Sequence, residues 1–258
     1  MSSKNGVKTE TVEIQKDLLD ANKSKLQKYQ EIILGTTGFF DLVKYEFITL
    51  LCGWLPGALG LLLRSKLYPV LLGKVGRNVT FGQNVVLRHP KKIRIGDNVV
   101  IDDNVVLDAK GENNRGLFIG DGVFVGRNTI LSCKNGDIHL EDGANIGFNC
   151  EIFSANKVTV GKNVLMAAYC YLVGGTHTFA RTDIPILHQS REARGIAVGD
   201  NAWLGAHVVV FDGVELGKES IVGAGAVVSK NVPDWQIAAG VPAKVVKDRR
   251  NVEESAAL

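Results

Sequence analysis

Val160-Gly161-Lys162-Asn163-Val164-Leu165 decides the fold, because its pattern returns at six-residue intervals on both sides. Upstream stand Val75-Gly76-Arg77-Asn78-Val79-Thr80, Ile95-Gly96-Asp97-Asn98-Val99-Val100 and Val125-Gly126-Arg127-Asn128-Thr129-Ile130, and downstream Val198-Gly199-Asp200-Asn201-Ala202-Trp203. The first place is aliphatic, the second small or acidic, the fourth often Asn or Gly, and the fifth a small β-former. A short strand followed by a bend every six residues closes a triangular coil, three units to a turn, with the first and fifth places facing a narrow interior. Coils then stack about 4.8 Å apart through parallel strand pairing. Asn or Gly at the fourth place (Asn78, Asn149, Asn163, Asn201, Gly213, Gly225 and Asn231 among them) suits a corner that needs positive φ.

Counting Val75, Ile95, Ile119, Leu140, Val160, Val198 and Leu216 as coil starts, the step after Val160 is far longer than the others. An excursion therefore leaves the stack there, over residues 176–195, and it carries His177, Asp183, Pro185, His188, Arg191 and Arg194. A long loop on a regular scaffold is the first place to seek chemistry.

Working outward, the chain divides near residue 74. The reading is an N-terminal helical and apolar extension (residues 1–74), a β-helix domain (75–248) and a C-terminal tail (249–258). Residues 8–34 read as one modestly amphipathic helix through Val12, Leu18, Leu19, Leu26, Tyr29 and Ile33. Residues 39–72 hold an apolar run broken by Pro56 and Gly57 and followed by Arg64 and Lys66, too interrupted to span a bilayer. Two roles stay open for it: peripheral membrane contact through residues 47–72, or a cap on the first coil packed between subunits.

A net charge of +3 without a run of basic residues among aromatics points away from nucleic acid. Cys52, Cys133, Cys150 and Cys170 lack metal-type spacing; Cys150 and Cys170, fifth-place residues one coil apart, read as buried free thiols. Met1 to Glu10 lacks a signal peptide's apolar stretch, so the expectation is a cytoplasmic protein, with peripheral placement on the inner face of the membrane as the variant.

Four pieces together resemble the hexapeptide-repeat O-acetyltransferases, such as those acting on galactosides, maltose and polysaccharides. They are Val160 to His177 with its Gly174-Gly175-Thr176-His177 ending, Asp200-Asn201-Ala202-Trp203-Leu204-Gly205-Ala206, Val222-Gly223-Ala224-Gly225-Ala226, and Ala239-Gly240-Val241-Pro242-Ala243-Lys244. The resemblance covers residues 75–248 and implies an all-β, left-handed parallel β-helix; the hand comes from the resemblance, since periodicity cannot supply it.

It also implies acyl transfer from acetyl-CoA to a hydroxyl of a sugar or glycan in a homotrimer. Such a reaction needs a base for the hydroxyl proton and donors for the oxyanion, and requires no metal. The family's catalytic histidine aligns with His177. Asp183 or Glu192, or a backbone carbonyl, would fix its tautomer. The amide of Gly205 or Ala206 would hold the oxyanion. By the same resemblance Trp203, Ala206, Ala224, Ser229 and Lys230 contact coenzyme A, and Lys244 and Lys247 lie where basic residues meet its phosphates. Leu165 matches an apolar wall of the acceptor site and Asn149 a polar contact. Gly147 and Ala155 replace the polar acceptor-binding residues of galactoside acetyltransferases, which speaks against a galactoside acceptor.

Two other classes use this architecture. A zinc-dependent γ-type carbonic anhydrase needs three imidazoles at a subunit boundary, and His177 and His188 lack its close pairing. A non-catalytic β-helix with an ice-binding face needs threonine ladders, which this sequence lacks.

Overall fold

In the computed structural model, which describes residues 8–10 and 23–251, the six-residue period becomes three sheets of parallel strands wound into about eight coils. Face A runs from Lys74–Val75 through Lys157–Val160 and Ile196–Val198 to Glu215–Leu216. Face B runs from Thr80–Phe81 through Leu165–Met166 and Trp203–Leu204 to Gln236–Ala239. Face C runs from Val86–Arg88 through Tyr171–Gly174 and Val209–Phe211 to Val227–Val228. One inward position of face B reads Phe81, Ile101, Val125, Ile146, Met166, Leu204 and Val222, all 0% exposed. Each such side chain contributes roughly 1.5–3 kcal/mol of burial.

The corners follow from local stereochemistry. Asn78, Asn84, Asn98, Asn104, Asn128, Asn149, Asn163 and Asn201 all adopt φ between 52° and 59°. Their amides ladder between coils, Asn78 Nδ2 to Asn98 Oδ1 at 3.0 Å and Asn163 Nδ2 to Asn201 Oδ1 at 3.2 Å. These bonds offset a backbone cost of about 1–2 kcal/mol per left-handed residue. Asn231 departs from the expectation: it is outside the positive-φ set, and its side-chain oxygen accepts from Glu215 N–H at 2.9 Å. Conversely, Tyr169, His207, Glu219 and Trp235 take the left-handed conformation without being Asn or Gly. Cys52, Cys133, Cys150 and Cys170 are buried free thiols.

The single helix expected over residues 8–34 is corrected. Lys8–Glu10 form a strand, β1, residues 11–22 lie outside the described residues, and the helix α1 spans only Lys25–Tyr29. A wider turn over Gln30–Leu34 continues it to Gly35, whose φ of 70° ends it. The break at Pro56 and Gly57 separates α2 (Phe39–Cys52) from α3 (Gly57–Leu71).

The inner faces of α2 and α3 close the first coil. Arg64, 2% exposed, donates to the carbonyls of Phe81 (2.9 Å), Cys52 (2.9 Å) and Leu55 (2.7 Å). Tyr45 Oη donates to Leu87 O at 2.8 Å, and the Tyr68 ring meets Phe81 edge-on at 5.4 Å. His89 bonds the Glu31 carbonyl through Nε2 at 2.9 Å. These contacts place residues 39–72 as a cap. No helix among the described residues is long and apolar enough to cross a membrane. At the other end Lys244–Asp248 folds back antiparallel on Gln236–Ala239 and Arg249–Asn251 makes a short turn. The rest of the expected tail lies outside the described residues.

Candidate active site

The excursion is a β-hairpin at the edge between faces C and A. Strand β2 (Thr176–His177) pairs antiparallel with β3 (Arg191–Ala193), and β3 pairs in turn with β1. Glycines license the exit: a Cβ on Gly174 would lie 2.7 Å from the Phe153 carbonyl oxygen, and one on Gly175 would lie 2.8 Å from Ala155 Cβ. At the return, the Asp212 carboxylate accepts from the amides of Arg194 (2.8 Å) and Gly195 (2.9 Å). Between them Gln189, 4% exposed, ties the loop together by donating to Arg181 O at 2.7 Å and Ile184 O at 3.3 Å and accepting from Arg181 N–H at 3.2 Å.

His177 sits at the root of this hairpin, half-buried, directly across from Arg191. Arg191 Nε donates to His177 Nε2 at 3.1 Å. An imidazole nitrogen that accepts from guanidinium is unprotonated, which puts the ring proton on Nδ1. Nδ1 is buried without a hydrogen bond of ordinary geometry. Burial, then the Arg191 cation, lower the His177 pKa from its ordinary 6.5, with the Ile186 backbone carbonyl pulling weakly the other way. The ring is therefore neutral at pH 7, the form a general base needs.

Asp183 does not orient His177. Its carboxylate is taken by Arg181, through a 3.0 Å bond from Nε and a second bond from Nη2, and the pair stands in solvent. Two residues apart on an exposed turn, they satisfy each other before either reaches β2. Arg191, which sequence reasoning left without a role, is the group that faces the imidazole. The signal for it is cross-strand register, which appears only once the hairpin is formed. Of the two amides considered for the oxyanion, Gly205 N–H is committed to Val222 O at 2.8 Å.

The remaining expected residues fall into two groups. Leu165 and Trp203 are register neighbours on the outer side of face B, and both are exposed. Beside them, at the edge between faces B and C, Ala206 accepts from Gly225 N–H at 2.7 Å, next to Ala224, and Asn149 lies on the same edge nearer the cap. Ser229 and Lys230 lie instead on the edge between faces C and A, the edge from which His177 departs. Lys244 and Lys247 are exposed on the strand that closes face B. One side of a six-residue coil is at most roughly 20 Å long, at about 3.3 Å per residue. Face C thus separates His177's edge from that of Trp203 within one chain.

The other histidines are engaged elsewhere. His139 stacks on Phe118 at 4.4 Å, His207 on Tyr169 at 4.8 Å, and His188 is exposed. Among the described residues no group of three or more His, Cys, Asp or Glu within the chain is placed to hold a metal ion.

Comparison with known proteins agrees with the repeat. The family model described as the hexapeptide repeat of succinyl-transferase matches residues 74–109 and 195–230. The chain is 32% identical over 141 residues to a probable acetyltransferase of Mycobacterium tuberculosis, covering 55% of this chain and 47% of that one. It is 35% identical over 117 residues to a galactoside O-acetyltransferase of Escherichia coli (43% and 54%). It is 31% identical over 119 residues to a putative lipopolysaccharide biosynthesis O-acetyl transferase of Escherichia coli (43% and 61%). The chain spans about half the length of the first curated relatives it matches. A mutant N-acyltransferase from Bacillus cereus, solved with dTDP and coenzyme A, shares the fold with 24% identity and a TM-score of 0.51, over 73% of this chain and 90% of that one.

Proposed function

We propose that this chain is an O-acyltransferase that moves an acetyl group from acetyl-CoA to a hydroxyl of a sugar or glycan, with His177 as general base. One observation carries this reading: the single long excursion from the β-helix presents an imidazole held neutral at its root, with its lone pair on Nε2. The relatives named as acetyltransferases support the reaction class, two of them with sugar-type acceptors in their names. The structural neighbour with bound coenzyme A supports the donor.

In this mechanism the acceptor hydroxyl takes the place that Arg191 Nε occupies against Nε2. His177 removes the hydroxyl proton as the oxygen attacks the thioester carbonyl. The tetrahedral intermediate collapses to the ester and the thiolate of CoA, which recovers the proton from the imidazolium. Trp203 and Leu165 form the apolar surface for the donor arm and the acceptor wall. Lys244 and Lys247 supply charge for the phosphates.

The separation of His177 from Trp203 by face C supports a homotrimer, in which the edge of one subunit carrying Trp203 meets the hairpin of the next. The outer ladders agree with it. The outward positions read Val100, Phe124, Asn145, Leu165 and Trp203 on face B and Val86, Ile130, Glu151, Tyr171 and Val209 on face C, against Lys74, Arg94, Phe118, His139 and Glu215 on face A, so B and C are the more apolar. Apolar outer ladders are the surfaces that pair. The experiment is release of free thiol from acetyl-CoA with a panel of glycan acceptors. His177→Ala is expected to lose about 10²–10⁴-fold in rate; near wild-type transfer would remove the proposal.

A further inference from the structure

The cap has a second face that the β-helix does not use. On α2, at 100° per residue, Phe39, Phe40, Val43, Phe47, Leu50 and Leu51 occupy one arc and are all exposed, while Leu42, Tyr45, Ile48 and Cys52 occupy the opposite arc and are buried. On α3 the buried side holds Gly60, Arg64, Tyr68 and Leu71, and Leu59, Leu62 and Val70 point away. Trp54 joins the two exposed arcs. Phe40 is 86% exposed, Leu50 75%, Phe47 64% and Trp54 59%. A helix apolar all round belongs in an apolar environment, and an exposed patch this dense marks an interaction surface.

Charge says which surface. Residues 23–92 contain eleven Lys and Arg against three Asp and Glu, while the whole chain carries only +3. Lys25, Lys66, Lys74 and Lys91 are exposed around the cap, Lys66 within the outward arc of α3. Two copies meeting through this end would bring like charges together, which opposes self-association. An anionic lipid surface neutralises the lysines and accepts the apolar arc at the depth of its headgroups.

We propose that the exposed face of α2 and α3 docks the protein onto an anionic lipid bilayer, with Phe40, Phe47, Leu50 and Trp54 entering the interface and the lysines around them meeting lipid phosphates. This docking is independent of the acyltransfer reading.

Flotation of the full chain with vesicles tests it. Vesicles of phosphatidylcholine containing one third phosphatidylglycerol should carry the protein upward, and pure phosphatidylcholine vesicles should carry at least about tenfold less. Phe40→Asp combined with Phe47→Asp should cut binding to the anionic vesicles by at least about tenfold, with the circular dichroism spectrum unchanged. Lys66→Glu and Lys91→Glu, which leave the apolar arc intact, should each weaken it by about fivefold. Three results overturn the proposal. The full chain floats with neither vesicle, as it would if a second copy covers the face. Flotation is indifferent to lipid charge. The Phe40/Phe47 variant changes the sedimentation of lipid-free protein while flotation persists.

Discussion

His177 and Arg191 face each other across an antiparallel strand pair, and Arg191 Nε donates to His177 Nε2 at 3.1 Å. The arrangement keeps the imidazole neutral and its lone pair covered until another donor displaces the guanidinium. Removing the cation by Arg191→Leu raises the His177 pKa back toward 6.5. A base works only when unprotonated, so the acid limb of kcat/KM is expected below pH 6.5 in the wild type and shifted upward in the variant. A pH profile of thiol release checks the direction of the shift.

Asp183→Asn is expected to leave that profile where it is. The carboxylate is spent on Arg181 in solvent, where water screens the pair. A change in kcat/KM beyond about twofold would return Asp183 to the site.

Gly195, where the hairpin rejoins the stack, has φ of +96° and backs onto the Lys157 carbonyl. Gly195→Ala combines a left-handed strain of about 1–3 kcal/mol with that steric conflict. Its expected effect is a lower melting temperature and a larger fractional loss of transfer activity than of helical signal, because the hairpin is displaced while the cap is untouched.

Arg64→Met removes three charge-assisted bonds from carbonyls that stay buried between cap and first coil. A loss of roughly 2–5 kcal/mol is expected in urea unfolding. Retention of full stability would mean that the apolar contacts of α2 and α3 hold the cap without it.

His89 supplies a pH test of the same joint. Burial lowers its pKa below 6.5, so the unfolded chain binds its proton first as pH falls. Stability is then full above pH 6.5 and declines as pH drops from there toward the folded pKa. His139 and His177 are lowered in the same sense and add to the slope. His89→Gln, which keeps a donor for the Glu31 carbonyl, should shrink the loss measured between pH 6.5 and 5.

The repeat from Val75 to Leu216 was readable because each unit's conformation is local: aliphatic residues point inward and Asn at the corner tolerates positive φ whatever lies elsewhere in the chain. The excursion was readable for the same reason, as an interruption of a period, and so was the imidazole it carries. Arg191 opposite His177 was not. Their pairing depends on hairpin register between residues 14 apart, which no local pattern encodes. Asp183, six residues on in the same loop, is one of three expected partners with Glu192 and a backbone carbonyl, but the geometry of a turn gives it to Arg181. The helix expected over residues 8–34 failed at its start because Lys8–Glu10 is recruited as a third strand by β3, a long-range partner that overrides a weak amphipathic signal. The apolar run after Phe39 leaves a membrane-contacting and a capping role open in sequence, and only packing decides which half of it meets the β-helix and which half stays exposed. Periodicity fixes what each residue does within its own coil; the partners of a side chain across a loop, an edge or a cap follow from where the chain returns.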